Sequence, residues 1–423
     1  MAFPRVLIVA EHASAKFGGE AFLPLHYFRL LRKRGVEAYL LCHSRVRDEL
    51  RATFPNEVSR MYFVEDMPVQ RGLCKAGDWL PKGFGAAIVG PLINMATQRA
   101  ARTMARQIVR DEHIAVVHQP TPVSPKLPSA IWGVGAPVII GPMNGGMTYP
   151  PGFLRRQRGG ELQMVAVARL AANLANRAIP GKRRAALLLV ANQRTRDALS
   201  VSAPVKEMVE NGVDLERFAA SPRHARSEPP RFAFVGRLVD WKAVDILIEA
   251  FARARRVRPM WLELFGDGPE LGSLKQLVDK LGLSEAVAFH GFVPQAELPA
   301  RLTRCDALVL PSLRECGGAV VLEAMALGLP IIATRWGGPA DYLDERCGIL
   351  VEPRSPEQLI HDIMEAMVRL AGEEAVRLSL GEAGRRKVER EFDWEKKLDQ
   401  MLAIYDDVIS RKQVSGQTNR RAP

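Results

Sequence analysis

Two glutamates, Glu315 and Glu323, flank a glycine pair within the stretch ECGGAVVLEAMALGLPIIAT (315–334). Carboxylates in a cleft either exchange protons with a substrate or accept hydrogen bonds from sugar and ribose hydroxyls. Gly317 and Gly318 precede a predicted helix start, and they leave backbone N–H groups open to an anion. Because a turn and a helix start separate the two glutamates, the spacing argues against an acid/base pair. It favours two hydrogen-bonding walls of one site.

A second stretch, FVGRLVDWKAVDILIEAF (234–251), carries two cations between a strand and a helix. The strand is predicted to end at Gly236, and Arg237 and Lys242 follow in the loop. A guanidinium fork and an ammonium beside a helix start suit a diphosphate group. On this stretch alone, solvated loop cations remain an equal alternative.

Two further strand ends in the second half are candidates for ligand contact. Gly266 in FGDGPEL (265–271) predicts a tight turn where a ligand approaches the backbone, and the stretch lacks the third glycine of a dinucleotide fingerprint. Phe292 and Val293, after the strand in AFHGFVPQAELPA, could present backbone to a nucleobase edge. A plain loop is an equally good reading of that second stretch.

The first half offers three candidate groups, also after apolar runs. Gly18 and Gly19 stand in a strand-to-helix loop in AKFGGEAF, and His118 ends the apolar run VVHQ. The sequence predicts that His118 faces a cleft, although a structural histidine is the commoner case at such a position. Asn144 with its two following glycines is predicted to lie on the acceptor side; these residues are Asn144, Gly145 and Gly146.

The elements that position these residues follow one pattern in both halves. Near-continuous apolar runs alternate with helical stretches, which is typical of parallel sheets covered on both faces. The predicted strands cover 5–10, 36–42, 114–119, 136–141, 185–191, 231–236, 260–266, 286–291, 306–311, 330–334 and 348–352. The fold class is therefore α/β, with two Rossmann-like units whose ligands bind at the carboxyl ends of the strands. A polar, Pro-rich stretch at 219–230 is the predicted linker.

The order of these motifs resembles that of retaining glycosyltransferases of the GT-B fold, family 4. The resemblance rests on Gly-Gly-Glu near the N-terminus, NGVDLERF, GRLVDWK, GDGPEL, HGFV and Glu-x7-Glu, and it covers residues 4 to 410. It implies two facing domains with a deep cleft, and a sugar moved from a nucleoside diphosphate to a glycan or glycolipid acceptor. A hexosyltransferase role in cell-surface polysaccharide or glycolipid biosynthesis is the expectation.

The resemblance also implies a role for individual residues. Arg237 and Lys242 would hold the diphosphate, Glu315 would contact the donor sugar, and Glu323 would bond the ribose. His118 would contact the donor sugar as well, and the loop with Gly18 and Gly19 would approach the donor phosphates. We therefore expect four catalytic residues, namely Arg237, Lys242, Glu315 and His118, a UDP- or GDP-sugar donor, no cofactor and no dedicated metal site.

The domain boundaries follow from the same comparison, and one position departs from it. The expected division is an acceptor-side domain at 1–205 completed by a helix at 391–410, a donor domain at 206–390, and a disordered tail at 411–423. The family commonly has an aromatic residue near the first glutamate, where this chain has Gly317 after Cys316. The donor sugar is therefore the least determined part of the prediction.

Charge is distributed unevenly along the chain. Its net charge is +12, but residues 1–200 carry 28 Lys/Arg against 13 Asp/Glu, and the remainder is slightly acidic. The basic residues include Arg99, Arg102, Arg106 and Arg110 on one helical face, and the stretches FLRRQRG (153–159) and GKRRAALLL (181–189). This asymmetry indicates an anionic partner. Without interleaved aromatic residues, an anionic membrane surface is favoured over nucleic acid.

Scattered cysteines and an apolar strand soon after the N-terminus predict a cytoplasmic protein without a signal peptide, peripheral at the inner membrane face. Two alternatives stay open. A sugar-nucleotide epimerase also uses two Rossmann-like domains, and a non-catalytic protein could bind lipid or nucleic acid through the basic half.

Overall fold

The computed structural model describes residues 3–14, 19–68, 70, 72, 84–156, 159–219 and 229–420. The chain forms two compact units. Unit 1 comprises residues 1–146, 160–210 and 398–423, and unit 2 comprises residues 147–159 and 211–397. Each unit is a parallel sheet with helices on it, so the predicted α/β class is confirmed.

Unit 1 is built on a seven-stranded parallel sheet of order β3-β2-β1-β4-β5-β6-β7. Its strands are β1 Val6–Val9, β2 Ala38–His43, β3 Met61–Val64, β4 Val116–Gln119, β5 Val138–Met143, β6 Leu187–Val190 and β7 Val205–Glu207. Its helices before the division at 210 are α1 Phe22–Lys33, α2 Arg47–Thr53, α3 Phe84–Asp111, α4 Gly159–Ala178 and α5 Gln193–Asp197. Apolar side chains of the central strands, such as Leu7 and Val117, pack with Ala105 and Ile108 of α3 into a buried core.

Unit 2 is built on a six-stranded parallel sheet of order β10-β9-β8-β11-β12-β13. Its strands are β8 Arg231–Val235, β9 Trp261–Phe265, β10 Val287–Gly291, β11 Ala307–Leu310, β12 Ile331–Thr334 and β13 Gly348–Val351. Its helices are α6 Val244–Val257, α7 Leu271–Lys280, α8 Leu298–Leu302, α9 Ala319–Ala326, α10 Gly338–Tyr342, α11 Pro356–Gly372 and α12 Glu374–Glu391. In both sheets the strand order reverses beside the first strand of the unit, β1 or β8, and α/β proteins bind ligands at such a switch point.

The last helix, α13 Trp394–Arg420, begins in unit 2 and continues in unit 1 from Leu398. The sequence predicts a disordered tail from residue 411, but the helix extends to Arg420. Arg411 pairs with Asp407 one turn earlier, and the added residues are mostly good helix formers. The predicted linker at 219–230 lies mostly outside the described residues. Within the described part of the chain, no helix is long and apolar enough to cross a membrane.

Candidate functional site

The loop that leaves β8 is held by backbone packed against backbone. The N–H of Gly236 donates to the Phe265 carbonyl at 2.9 Å. A Cβ on Gly266 would lie 1.8 Å from the Gly236 carbonyl oxygen, and one on Gly268 would lie 2.2 Å from the Leu238 carbonyl oxygen. Glycine at these two positions is therefore required by the contact between the loops after β8 and β9, whether or not a ligand also approaches there.

This packing aims the β8 loop toward the start of α6. The loop closes in a 3-10 turn at Asp240–Lys242, and buried Ala243 then takes φ +52° as the residue before α6. Positive φ is uncommon for a residue with a Cβ, and such strain collects where surrounding structure holds the chain in place. Arg237 remains exposed at the front of this loop, whereas Lys242 is largely buried.

Lys242 forms an ion pair with Glu315, which brings together two residues that the sequence placed in separate motifs. Their side chains are 15% and 14% exposed, so the pair is mostly shielded from solvent. The ammonium also lies 3.7 Å from where a Cβ on Gly236 would be. The backbone joins the same two loops, because the Leu313 N–H donates to the Trp241 carbonyl at 2.8 Å.

The turn that carries Glu315 is supported from behind by a second glycine pair. A Cβ on Gly337 would lie 2.2 Å from the Glu315 carbonyl oxygen, and one on Gly338 would lie 2.1 Å from that of Gly317. The Gly338 N–H donates to the Glu315 carbonyl at 2.8 Å. Gly318 follows with φ +78° and begins α9, as the sequence predicts for a helix start between the glutamates.

Glu323 lies on α9 in different surroundings from Glu315. It is 7% exposed and accepts a hydrogen bond from Gln295 Nε2 at 2.7 Å. Burial raises the pKa of Glu323, and that hydrogen bond opposes the rise. Gln295 in turn accepts from Arg217 at 3.2 Å, so an exposed cation is linked to the buried carboxyl. The two glutamates thus have separate partners.

The loop after β10 presents Phe292 to solvent. Its side chain is 76% exposed, and Val293 beside it is half-buried. Both precede Gln295 in the chain, so the segment that reaches Glu323 also carries the two residues predicted to face a nucleobase. A large exposed aromatic ring next to a buried polar contact is a suitable platform for a flat ligand.

A segment from the first half of the sequence contributes to unit 2. Residues 147–159 belong to it, and Tyr149 Oη donates to Asp240 Oδ2 at 3.2 Å in the β8 loop. Arg314 stacks over the Tyr149 ring at 5.4 Å. Arg156 pairs with Asp245 at the start of α6, so this arginine of the FLRRQRG stretch is occupied inside unit 2.

In unit 1, His118 is a core residue, and the prediction that it contacts a sugar is corrected. The ring is fully buried; Nε2 lies 2.7 Å from the Gly141 carbonyl and Nδ1 lies 2.7 Å from the Tyr405 hydroxyl. Because a carbonyl only accepts, Nε2 carries the proton and Nδ1 accepts from Tyr405. Burial lowers the pKa of His118 to about 4, so the ring is neutral and both nitrogens are occupied.

Asn144 also lies within a buried polar network. Its Nδ2 donates to Glu210 Oε1 at 2.8 Å, and the Gly145 N–H donates to Thr195 Oγ1 at 3.1 Å. Gly146 is exposed with φ +77°. Of the three residues predicted on the acceptor side, only Gly146 is at the surface, and Asn144 and Gly145 hold the loop in place.

Unit 1 contains a cavity of about 400 Å³ at the carboxyl ends of β1, β2 and β4. Gly19, with φ +38°, lines it, and Gly18 lies outside the described residues. The polar groups around the cavity are Glu11, His12, Glu20, Asn94, Thr97, Gln98, Gln119 and Thr121. Sequence reasoning missed most of them because they are isolated polar residues in otherwise ordinary helices and loops.

Several predicted basic residues are committed to internal contacts. Arg102 donates to the Trp132 carbonyl at 2.7 Å and stacks on that indole, and Arg106 donates to the Gly133 carbonyl at 2.9 Å. Lys182 is buried, donates to the Pro125 carbonyl at 2.7 Å, and has its pKa lowered by burial to about 7. The four arginines of α3 therefore do not form one free basic face, since only Arg99 and Arg110 are exposed.

Residues 217–386 match the family model of glycosyl transferases group 1. This segment contains the β8 loop, the Glu315 turn and α9. Among curated relatives, an MMP alpha-(1->4)-mannosyltransferase of Mycolicibacterium hassiacum is 31% identical over 230 residues, covering 53% of this chain and 54% of that protein. A glycogen synthase of Mycobacterium tuberculosis is 29% identical over 218 residues, covering 51% of each. The chain thus spans about half the length of the curated relatives it matches.

Solved structures match over nearly the whole chain at low identity. Sucrose-phosphate synthase from Thermosynechococcus elongatus superposes with a TM-score of 0.67 at 18% identity, covering 96% of this chain and all of that one. Anabaena HepE in complex with UDP gives a TM-score of 0.65 at 16% identity over 95% of this chain and all of that one. At these identities the likeness establishes the fold, which is the GT-B fold predicted from the sequence.

With the fold established, the residues that the sequence failed to find can be named. They are Gln295 beside Glu323, Tyr149 and Asp240 at the β8 loop, and the pair Gly337 and Gly338 behind Glu315. Only the glycine pair had a signal in the sequence, as a Gly-Gly turn without an assigned role. Metal-ligating side chains of the described residues gather at His361, Asp362 and Glu365, which lie on α11, with His361 paired to Glu365 at 3.3 Å.

Proposed function

We propose that this protein is a retaining glycosyltransferase that moves a sugar from a nucleoside diphosphate sugar to a glycan or glycolipid acceptor. The observation that carries the proposal is the shielded Lys242–Glu315 pair at the head of α6, inside the segment that matches group 1 glycosyl transferases. A cation and a carboxylate at one strand end provide for the two parts of such a donor, the diphosphate and the sugar hydroxyls.

The proposed donor site assigns one task to each group. Arg237 and Lys242 bind the diphosphate, and Glu315 accepts hydrogen bonds from the sugar hydroxyls. Glu323 bonds the ribose, and the backbone at Phe292 and Val293 contacts the base. The N–H groups that follow Gly317 and Gly318 at the start of α9 add to the anion site. Because Gly317 replaces the family's usual aromatic residue, the donor sugar has one less apolar wall.

The proposed reaction needs no nucleophile from the protein. The acceptor hydroxyl forms a bond to the anomeric carbon on the face from which the phosphate departs, and the departing phosphate oxygen takes the hydroxyl proton. Lys242 and Arg237 stabilise the negative charge that develops on this oxygen, and the site holds the two substrates in position. These cations are proposed to take the place of a metal ion.

The nucleotide and the sugar are drawn from the relatives. A relative from Mycolicibacterium smegmatis is named as a GDP-mannose-dependent mannosyltransferase, and HepE was solved with UDP-glucose. We therefore propose a UDP- or GDP-hexose donor. The cavity beside Gly19 in unit 1, lined by carboxylate, amide and hydroxyl groups, is proposed to receive the acceptor. The setting we propose is cell-surface polysaccharide or glycolipid assembly in the cytoplasm, at the inner face of the membrane.

A panel of UDP- and GDP-hexoses tests the proposal by thermal stabilisation, since a ligand that binds the folded state raises Tm by mass action. The donor that stabilises the protein is then incubated with Lys242→Ala and with Lys280→Ala, an exposed lysine in the same unit. We expect the first variant to lose most donor turnover and the second to retain it. Equal turnover in both would contradict the leaving-group role, and an isomerised donor without transfer would indicate an epimerase.

A further inference from the structure

Helix α4, Gly159–Ala178, has an exposed apolar ridge in unit 1. Leu170 is 63% exposed and Leu174 is 56% exposed, although a leucine is among the residues most often buried. Residues four apart lie next to each other on a helix, so the two side chains form one patch. Exposed Ala171 and Ala178 extend it on the same side of the helix.

The opposite face of α4 is fixed to the body of unit 1. Buried Asn176 donates through Nδ2 to the Lys126 carbonyl at 2.6 Å. Lys126 Nζ donates back to Asn173 Oδ1 at 3.1 Å. These contacts set the rotation of the helix about its axis, so the leucine ridge cannot turn inward without breaking them. The ridge is a fixed feature of this surface.

The charge around this ridge has one sign. Residues 162–196 contain no aspartate or glutamate. Exposed Arg169 and Arg177 lie on α4, and exposed Arg183 follows in the next turn. An aliphatic ridge flanked by arginines is the composition of helices that lie in the interface of an anionic bilayer. Arg102 and Arg106 of α3 are held by internal contacts, so the free charge lies chiefly with α4 and the residues after it.

We propose that α4 docks unit 1 onto an anionic lipid surface, with Leu170 and Leu174 inserted below the headgroups and Arg177 and Arg183 against the lipid phosphates. The aliphatic residues supply apolar burial and the arginines supply attraction to the surface charge. This proposal names the element that makes the membrane contact. It does not require that the protein transfer a sugar, so the two can fail separately.

Vesicle co-sedimentation tests the proposal on the full chain, without donor or acceptor. Vesicles of phosphatidylcholine mixed with phosphatidylglycerol are compared with phosphatidylcholine alone. We expect binding to the anionic vesicles that weakens with salt. The double variant Leu170→Ser/Leu174→Ser is expected to lower the partition coefficient roughly tenfold or more. The double variant Arg177→Glu/Arg183→Glu is expected to do the same.

Matched variants separate α4 from the rest of the surface. Val58→Ser/Val257→Ser removes two exposed apolar side chains elsewhere, and Arg99→Glu/Arg110→Glu makes the same charge change on α3. Both should bind vesicles as the unaltered protein does. Wild-type binding by the leucine variant, or equal loss in both arginine variants, would overturn the proposal. So would a dimer in light scattering that depends on Leu170 and Leu174, since the ridge would then be an interface between copies.

Discussion

Removing the carboxylate of Glu315 should strengthen nucleotide binding while it slows sugar transfer. In the structure the Lys242 ammonium is engaged by Glu315, and a diphosphate must compete for it. Glu315→Gln keeps the shape of the side chain and removes the competing charge. If Glu315 also holds the donor sugar, as proposed above, the same change lowers turnover. The two effects have opposite signs, which a general loss of structure would not produce.

The size of the affinity change follows from the shielding of the pair. At an effective dielectric constant of 20, an ion pair in contact gains about 4 kcal/mol before desolvation is subtracted. Fully exposed pairs retain only about 0–1 kcal/mol. With side chains 15% and 14% exposed, we expect the pair to retain about 1–2 kcal/mol, a value between these limits. Glu315→Gln should therefore tighten nucleotide binding roughly 5- to 30-fold.

Isothermal titration calorimetry with UDP and with GDP measures this change on the full chain. Lys242→Met should weaken binding of the same nucleotide by about tenfold or more, because a charge-assisted hydrogen bond is lost. Asp344→Asn is the control, since it removes the carboxylate from another ion pair of unit 2, with Lys387 at 2.8 Å. Unchanged or weaker nucleotide binding by Glu315→Gln would refute the competition between carboxylate and diphosphate.

Two further predictions concern the framework around the site. Because the pKa of buried His118 is about 4 and its ordinary value is near 6.5, unfolding of unit 1 should become easier as pH falls from about 6.5 to 4, by up to about 3 kcal/mol. The shift of the urea midpoint between pH 7.5 and 4.5 should shrink in His118→Gln, and an equal shift in both proteins would contradict this. Gly266→Ala should disrupt the β8 loop and abolish nucleotide binding, because its Cβ would meet the Gly236 carbonyl, whereas Gly272→Ala has open space and should behave as wild type in Tm and calorimetry. Normal nucleotide binding by Gly266→Ala would show that the loop contact can yield.

The buried parts of both sheets could be predicted from the sequence, and their edges could not. All eleven predicted strands exist, and the two that were missed, β3 and β7, are the outer strands of the unit 1 sheet. Outer strands need no continuous apolar run because one side is open. β7 reads Val-Lys-Glu and is largely exposed, so it lacks the periodic signal by which buried strands are recognised.

Within the candidate site, local motifs were predictable and long-range partners were not. The position of Glu315 before α9, and of Glu323 on it, follows from a glycine turn and a helix start. The pairing of Lys242 with Glu315 joins residues 73 positions apart, and Tyr149 meets Asp240 across 91 positions. His118 misled for a related reason. A histidine at a strand end has the same local sequence whether it faces a ligand or a tyrosine that lies 287 residues away.

That tyrosine has a consequence for synthesis of the chain. Tyr405 lies on the part of α13 that belongs to unit 1, whereas unit 2 is completed at residue 397. On the ribosome, all of unit 2 is therefore made before His118 can find its partner. Domains usually fold in order from the N-terminus. Here the first unit to begin is the last to be finished, and its core must wait, unsealed, for a helix that emerges after residue 397.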